Sequence, residues 1–264
     1  MTFIAGFILF IAAVPGGALN SVAGGGSFLT FPSLIFAGVQ PIQANATSTV
    51  ALWPGSVASV SAYRKELATL NRVVLLTLGI TSLIGGIGGA ILLLSTPQAT
   101  FLGLVPYLML LATLLFAFSP RITAMIRKSS AEEIEEKTVI TWRTLASITF
   151  IQLIVAIYGG YFGGGIGIMI LASLGVMGMD NIHEMNGLKT VLQSIINGVA
   201  VITFVIARAV IWLPAMVMIV GAIVGGFGGA YVARRLDARL IRGFVILVGI
   251  SMTIYFFLRS IGKL

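Results

Sequence analysis

The chain has 264 residues, 58% of them hydrophobic and only 9% charged, with a net charge of +8 and a mean hydropathy of +1.08. A soluble domain carries about 25% charged residues, so this composition excludes an ordinary soluble globule and predicts a polytopic helical membrane protein. The absence of cysteine excludes disulfides, iron–sulfur clusters and thiolate metal sites.

The apolar runs are long and continuous rather than alternating, which argues against a β-barrel. A single histidine and scattered acids give no basis for a transition-metal site, and no cofactor is expected. The basic residues sit at the ends of apolar runs without interleaved aromatics. They read as membrane-flanking charges facing the lipid bilayer, and no nucleic-acid partner is expected.

In chain order, residues 3–22 form the first apolar segment. Met1-Thr-Phe-Ile-Ala lacks a basic leader region, so it is a poor signal peptide and is expected to stay in the mature protein. The segment ends at Gly24-Gly25-Gly26-Ser27, a glycine density that breaks a helix. Residues 27–38 are too short to cross about 30 Å of hydrocarbon. Gln40 to Asn45 reads as a polar break, and Asn45 to Tyr63 as a third segment rich in Ser and Thr, ended by Arg64-Lys65-Glu66. Segments at 73–94 and 100–119 follow. Residues 121–142 are the one long polar stretch and read as a solvated loop. Beyond it, 143–162 lead to Gly163-Gly164-Gly165, followed by a short segment at 166–178. A polar break from Gly178 to Glu184 precedes a polar-studded segment from Asn186 to Ala207, and segments at 210–233 and 243–258 complete the chain.

The two halves share motifs in one order at nearly one offset. Gly24 lies 139 residues before Gly163, Asn45 lies 141 before Asn186, and Gly85-Gly-Ile-Gly-Gly-Ala90 lies 140 before Gly225-Gly-Phe-Gly-Gly-Ala230. This predicts a tandem duplication: a first repeat over 1–120, a charged loop over 121–142 and a second repeat over 143–264. An odd number of crossings, about five per half, makes the halves opposite in orientation. With the 64–72, 121–142 and 234–242 stretches inside the cell, most Arg and Lys residues fall on the cytoplasmic side, as positive-inside asymmetry requires. The predicted fold is therefore all-α, with two inverted repeats and short broken or re-entrant helices after the glycine runs.

Five polar residues of the second half, Asn186, Lys189, Thr190, Gln193 and Asn197, fall at i, i+3, i+4, i+7 and i+11 along one helix face. Their counterparts are Asn45, Ser48, Thr49, Leu52 and Ser56. Inside a membrane such a stripe faces a cavity or the bundle interior, or it ties helices together. Lys189 either meets an anionic substrate or snorkels to the headgroups. Glycine runs before short helices leave backbone N–H groups at positive helix ends, which suits an anion; close helix packing is the other reading. The candidate substrate-binding residues are Gly24, Gly25, Gly26, Ser27, Asn45, Thr49, Gly163, Gly164, Gly165, Asn186, Lys189, Thr190, Gln193 and Asn197. Ser21 is a further hydroxyl near the first run. The glycines around 85–90 and 225–230 read as packing faces. His183, Glu184 and Asp180 read as ordinary loop residues. No catalytic constellation is visible, so no enzyme activity is expected.

With Ala23-Gly-Gly-Gly-Ser-Phe-Leu…Pro32, Gln43-Ala-Asn-Ala-Thr-Ser-Thr…Tyr63-Arg-Lys-Glu-Leu67, Phe162-Gly-Gly-Gly-Ile-Gly and Asn186-Gly-Leu-Lys…Asn197, the chain resembles the TauE/SafE family of sulfite exporters, also called the toluene sulfonate uptake permease family. The resemblance covers almost the whole chain. It implies a multi-pass bacterial inner-membrane carrier of sulfur-containing anions: sulfite, thiosulfate, sulfoacetate or other organosulfonates. The second half departs in having Leu171 where the first has Pro32. A secondary transporter working by alternating access is the expected function. A passive anion channel and a non-transporting component of a membrane complex are the alternatives. A homodimer is the assembly that common symmetry favours.

Overall fold

The computed structural model describes residues 2–132, 142–176, 179, 181–233 and 238–260. Among them there are eleven helices and no strand. The first half contains α1 (Phe3–Ala23), α2 (Ser27–Phe36), α3 (Pro41–Ala62), α4 (Arg64–Thr69), α5 (Arg72–Ser95) and α6 (Gln98–Glu132). The second contains α7 (Trp142–Tyr161), α8 (Ile166–Val176), α9 (Ile182–Ile206), α10 (Trp212–Ala233) and α11 (Ala238–Ser260). Four stretches, Phe3–Asn20, Arg72–Ser95, Gln98–Arg121 and Ile182–Ile206, are long and apolar enough to cross a membrane by length and composition. Phe7, Ile80, Ile84, Leu110, Val220 and Leu247 are exposed, as side chains facing lipid should be.

Several boundaries differ from the sequence reading. The polar break before Asn45 is already helical, because Pro41 occupies the first turn of α3, where its missing N–H costs nothing. Arg64 to Glu66 does not simply end α3 but opens the short helix α4. The stretch after Pro120 is not loop up to Glu132: α6 continues through it, as the good helix formers there allow. Residues 133–141, Gly178, Asp180, Arg234 and Arg235 lie outside the described residues. His183 and Glu184 belong to the first turn of α9 rather than a loop, since the Asn181 side chain accepts hydrogen bonds from both backbone N–H groups.

The helices pack in pairs. α1 lies against α10, α5 against α7, α6 against α11, and α3 against α9 at the centre. Shifting each partner by the repeat offset turns the α1–α10 pair into the α7–α5 pair, and α3 against α10 into α9 against α5. Gly85, Gly86 and Gly89 of α5 and Gly221 and Gly225 of α10 form packing faces. A Cβ on Gly89 would fall on the Ile157 carbonyl, and one on Gly225 on the Val14 carbonyl. Helix association in a bilayer depends on such close approach.

The short helices α2 and α8 follow the glycine runs. At 10 and 11 residues they reach about 15 Å, half a bilayer. Phe31 of α2 is fully buried, with its ring 6.4 Å from Phe101, 5.9 Å from Phe162 and 5.8 Å from Phe256. Each such aromatic contact adds roughly 0.5–1.5 kcal/mol. The cluster also fixes α2 against the second glycine run, through Phe162.

Candidate functional site

Each glycine run ends a long helix on a left-handed glycine. Gly24 has φ +72° and closes α1, its N–H donating to the Asn20 carbonyl. Gly163 has φ +78° after α7, its N–H donating to the Tyr158 carbonyl. This left-handed backbone is costly for any residue with a Cβ. The turns are then pinned from different sides. Thr30 Oγ1 donates to the Gly26 carbonyl at 3.1 Å, whereas Tyr158 Oη donates to the Gly164 carbonyl at 2.7 Å.

A small, partly open cavity lies where these turns meet α3 and α9. The first turn contributes Gly24 and Ser27, and the second Phe162 and Gly163. From α3 come Ser48, Thr49 and Leu52; from α9 come Gln193 and Asn197; Asn20 of α1 completes the wall. No charged side chain is among the described residues on it. At the start of α2 the N–H groups of Phe28, Leu29 and Thr30 donate to the Gly25 and Gly26 carbonyls. Of the helix's first donors, the Ser27 N–H beside the cavity is therefore the one without a backbone acceptor among the described residues.

Six predicted site residues thus come together: Gly24, Ser27, Thr49, Gly163, Gln193 and Asn197. The others lie off the wall. Gly25 packs on Phe116, Gly26 against Gly16 and Leu52, and Gly164 and Gly165 against Ala112. Asn45 is buried and donates through Nδ2 to the Tyr161 carbonyl at 3.1 Å, tying α3 to the end of α7. Asn186 and Thr190 donate to carbonyls of their own helix. Lys189 is 7% exposed and sits well inside α9, so it does not snorkel. It lies one turn from Gln193, about 6 Å along the axis. Ser21 falls among residues whose side chains are not described.

Asn20, Ser48, Leu52 and Phe162 were not among the predicted residues. Asn20 had a signal: a lone amide in an apolar helix, four residues before Gly24 and so on the same face. Ser48 had one as the counterpart of Lys189. Leu52 had only its place as the counterpart of Gln193, and Phe162 had none, because apolar residues are unremarked in apolar sequence.

The wall can bind through neutral amides, hydroxyls and helix ends. It offers no adjacent nucleophile and base. The fold and the cavity together define the class: a multi-pass helical membrane protein with a polar, uncharged cavity. The family model for the sulfite exporter TauE/SafE matches residues 9–256, and the chain belongs to that family of membrane transporters. It is 27% identical over 251 residues to a probable membrane transporter protein of Haemophilus influenzae, covering 93% of this chain and 92% of the relative. It is 24% identical over 246 residues to probable membrane transporter protein ORF9 of Sinorhizobium sp., covering 93% and 90%. It is also 25% identical over 250 residues to probable membrane transporter protein YfcA of Escherichia coli strain K12, covering 93% and 87%. No solved structure matches the chain.

Proposed function

We propose that this membrane transporter is a secondary carrier of small sulfur-containing anions, namely sulfite, thiosulfate, sulfoacetate or other organosulfonates. It works by alternating access in the bacterial inner membrane, with residues 121–142 on the cytoplasmic side. The observation that carries the reading is the cavity itself, lined from both halves at matched positions such as Gly24 and Gly163. Helix pairs that exchange under the repeat offset support two inverted repeats. Substrate bound at their junction shifts the population between inward-open and outward-open states. Gln193, Asn197 and Ser27 supply donors, and the family supplies the substrate class. Lys189 adds positive charge from one turn away on α9.

The test is binding by the purified, reconstituted protein, using calorimetry with sulfite, thiosulfate and sulfoacetate, followed by counterflow in vesicles. At least one anion is expected to bind and to show saturable exchange. Failure of all of them to bind removes the substrate class, and unsaturable flux assigns a channel instead. Lys189→Ala is expected to weaken binding about tenfold, equivalent to roughly 1.4 kcal/mol. Unchanged affinity in that variant removes the charge role of Lys189.

A further inference from the structure

The protons on one side of the cavity can be assigned. Asn20 Nδ2 lies 3.3 Å from the Leu52 carbonyl oxygen and 3.0 Å from Ser56 Oγ. A carbonyl only accepts, so the amide atom facing it is the nitrogen, and both of its hydrogens are committed to α3. The group Asn20 has left for the cavity is its carbonyl oxygen, Oδ1. Thr49 Oγ1 donates its one proton to the Asn45 carbonyl at 2.9 Å. Thr30 Oγ1 donates to the Gly26 carbonyl and lies 2.6 Å from Ser48 Oγ. Either hydroxyl could donate across that pair, and the arrangement that makes both contacts hydrogen bonds has Ser48 donating to Thr30. Three wall groups, Asn20 Oδ1, Ser48 Oγ and Thr49 Oγ1, therefore offer lone pairs and no proton.

The opposite side differs. Gln193 is 5% exposed and lines the cavity, and among the described residues neither its amide nor that of Asn197 has a hydrogen-bond partner. These amides are free to turn their N–H groups to a ligand. The cavity thus has a side on α9 that can donate and a side on α1 and α3 that only accepts.

The geometry points to a ligand that matches both sides: an anion carrying its own hydrogen-bond donor, with its charged oxygens toward α9 and its O–H or N–H group toward Asn20, Ser48 and Thr49. A fully deprotonated oxyanion lacks that donor and would set its oxygens against three acceptors. Hydroxyl- or amine-bearing sulfonates and hydrogen sulfite have it. The inference rests on the cavity being the substrate site.

The test uses an isosteric pair at equal charge, 2-hydroxyethanesulfonate and propane-1-sulfonate, titrated into the purified full-length protein by calorimetry in sodium and in choline buffer. The hydroxyl compound is expected to bind about tenfold more tightly, since a buried acceptor left without a partner is costly. In the Ser48→Ala/Thr49→Val double variant the preference should fall toward unity, with thermal unfolding used to verify that the protein is folded. Equal affinities in the wild type, or an unchanged preference in the double variant, overturn the inference while leaving the anion site intact. Tight binding of propane-1-sulfonate in sodium alone gives the acceptor side to a separate cation and overturns it too. Binding of neither compound overturns this inference, and it overturns the substrate-site reading as well where sulfite, thiosulfate and sulfoacetate also fail to bind.

Discussion

Helices α3 and α9 occupy matching places in the two halves and carry matching polar stripes, yet they use them differently. On α3 the polar groups serve the protein. Thr47 Oγ1 accepts from the Ile211 N–H just before α10, Asn45 holds Tyr161, and Ser56 is held by Asn20. On α9, Gln193 and Asn197 reach the cavity without protein partners among the described residues. Their counterparts are Leu52, which cannot hydrogen-bond through its side chain, and Ser56, which is already engaged. Duplication supplied two equivalent frames, and divergence left uncommitted amides on the α9 wall while the polar groups of α3 on the same cavity are engaged with the protein. A polar stripe in a membrane helix therefore identifies an inward face without revealing whether that face binds substrate or neighbouring helices.

The sharpest way to break this comparison is to make α9 resemble α3. Gln193→Leu copies Leu52 into the second half and removes the best-buried uncommitted amide on the wall. A hydrogen bond to a charged group is worth about 1.5–3 kcal/mol, so anion affinity should fall about 10- to 100-fold, read by calorimetry. Little change in affinity would show that α9 is scaffold as well.

A smaller effect separates the two glycine turns. Alanine at Gly24 or Gly163 meets left-handed strain of about 1–2 kcal/mol, so both variants should lose similar stability in thermal unfolding. Their effects on binding should differ. A Cβ at Gly24 would lie 3.2 Å from both amide atoms of Gln193, whereas one at Gly163 would approach only the Gly159 carbonyl, at 3.1 Å. Gly24→Ala is expected to weaken ligand binding several-fold more than Gly163→Ala. Equal losses in affinity would mean that Gln193 is not positioned by the first turn.

Much of this was legible in the sequence, for reasons that show where legibility stops. Composition and hydropathy reflect the solvent, so the membrane class followed directly. Glycine is nearly obligatory at φ +72° and +78°, so both helix breaks were visible. Helical spacing found Gln193 and Asn197, because periodicity reports which face turns inward. It did not separate them from Asn186 and Thr190, whose side chains donate to their own helix. That distinction depends on which neighbours stand within hydrogen-bond reach. The break at Gln40 hid a helix start because Pro41 reads as a breaker until its position in the first turn is known. The helix of α6 beyond Pro120 was hidden because polar sequence outside a membrane is compatible with either helix or loop.

The smallest expected effect lies where the two stripes meet. Trp53 Nε1 donates to the Ser194 carbonyl at 3.2 Å, and the two residues are 141 apart, the same offset that relates Asn45 to Asn186. The contact joins equivalent points of α3 and α9 and so sets their relative register, one residue from Leu52 on one side and Gln193 on the other. Gly198 lets the indole lie close, since a Cβ there would be 3.1 Å from Trp53 Nε1. Trp53→Phe keeps most of the packing and removes only the donor. The Ser194 carbonyl remains within the ladder of α9, so the loss should be near 1 kcal/mol, or about 2–4 °C in the unfolding midpoint. Affinity should fall less than in Gln193→Leu, because the cavity amides remain. An unfolding midpoint identical to wild type would show that ring packing alone holds the crossing. A loss of affinity as large as that of Gln193→Leu would make the α3–α9 register, rather than the chemistry of either stripe, the main determinant of binding.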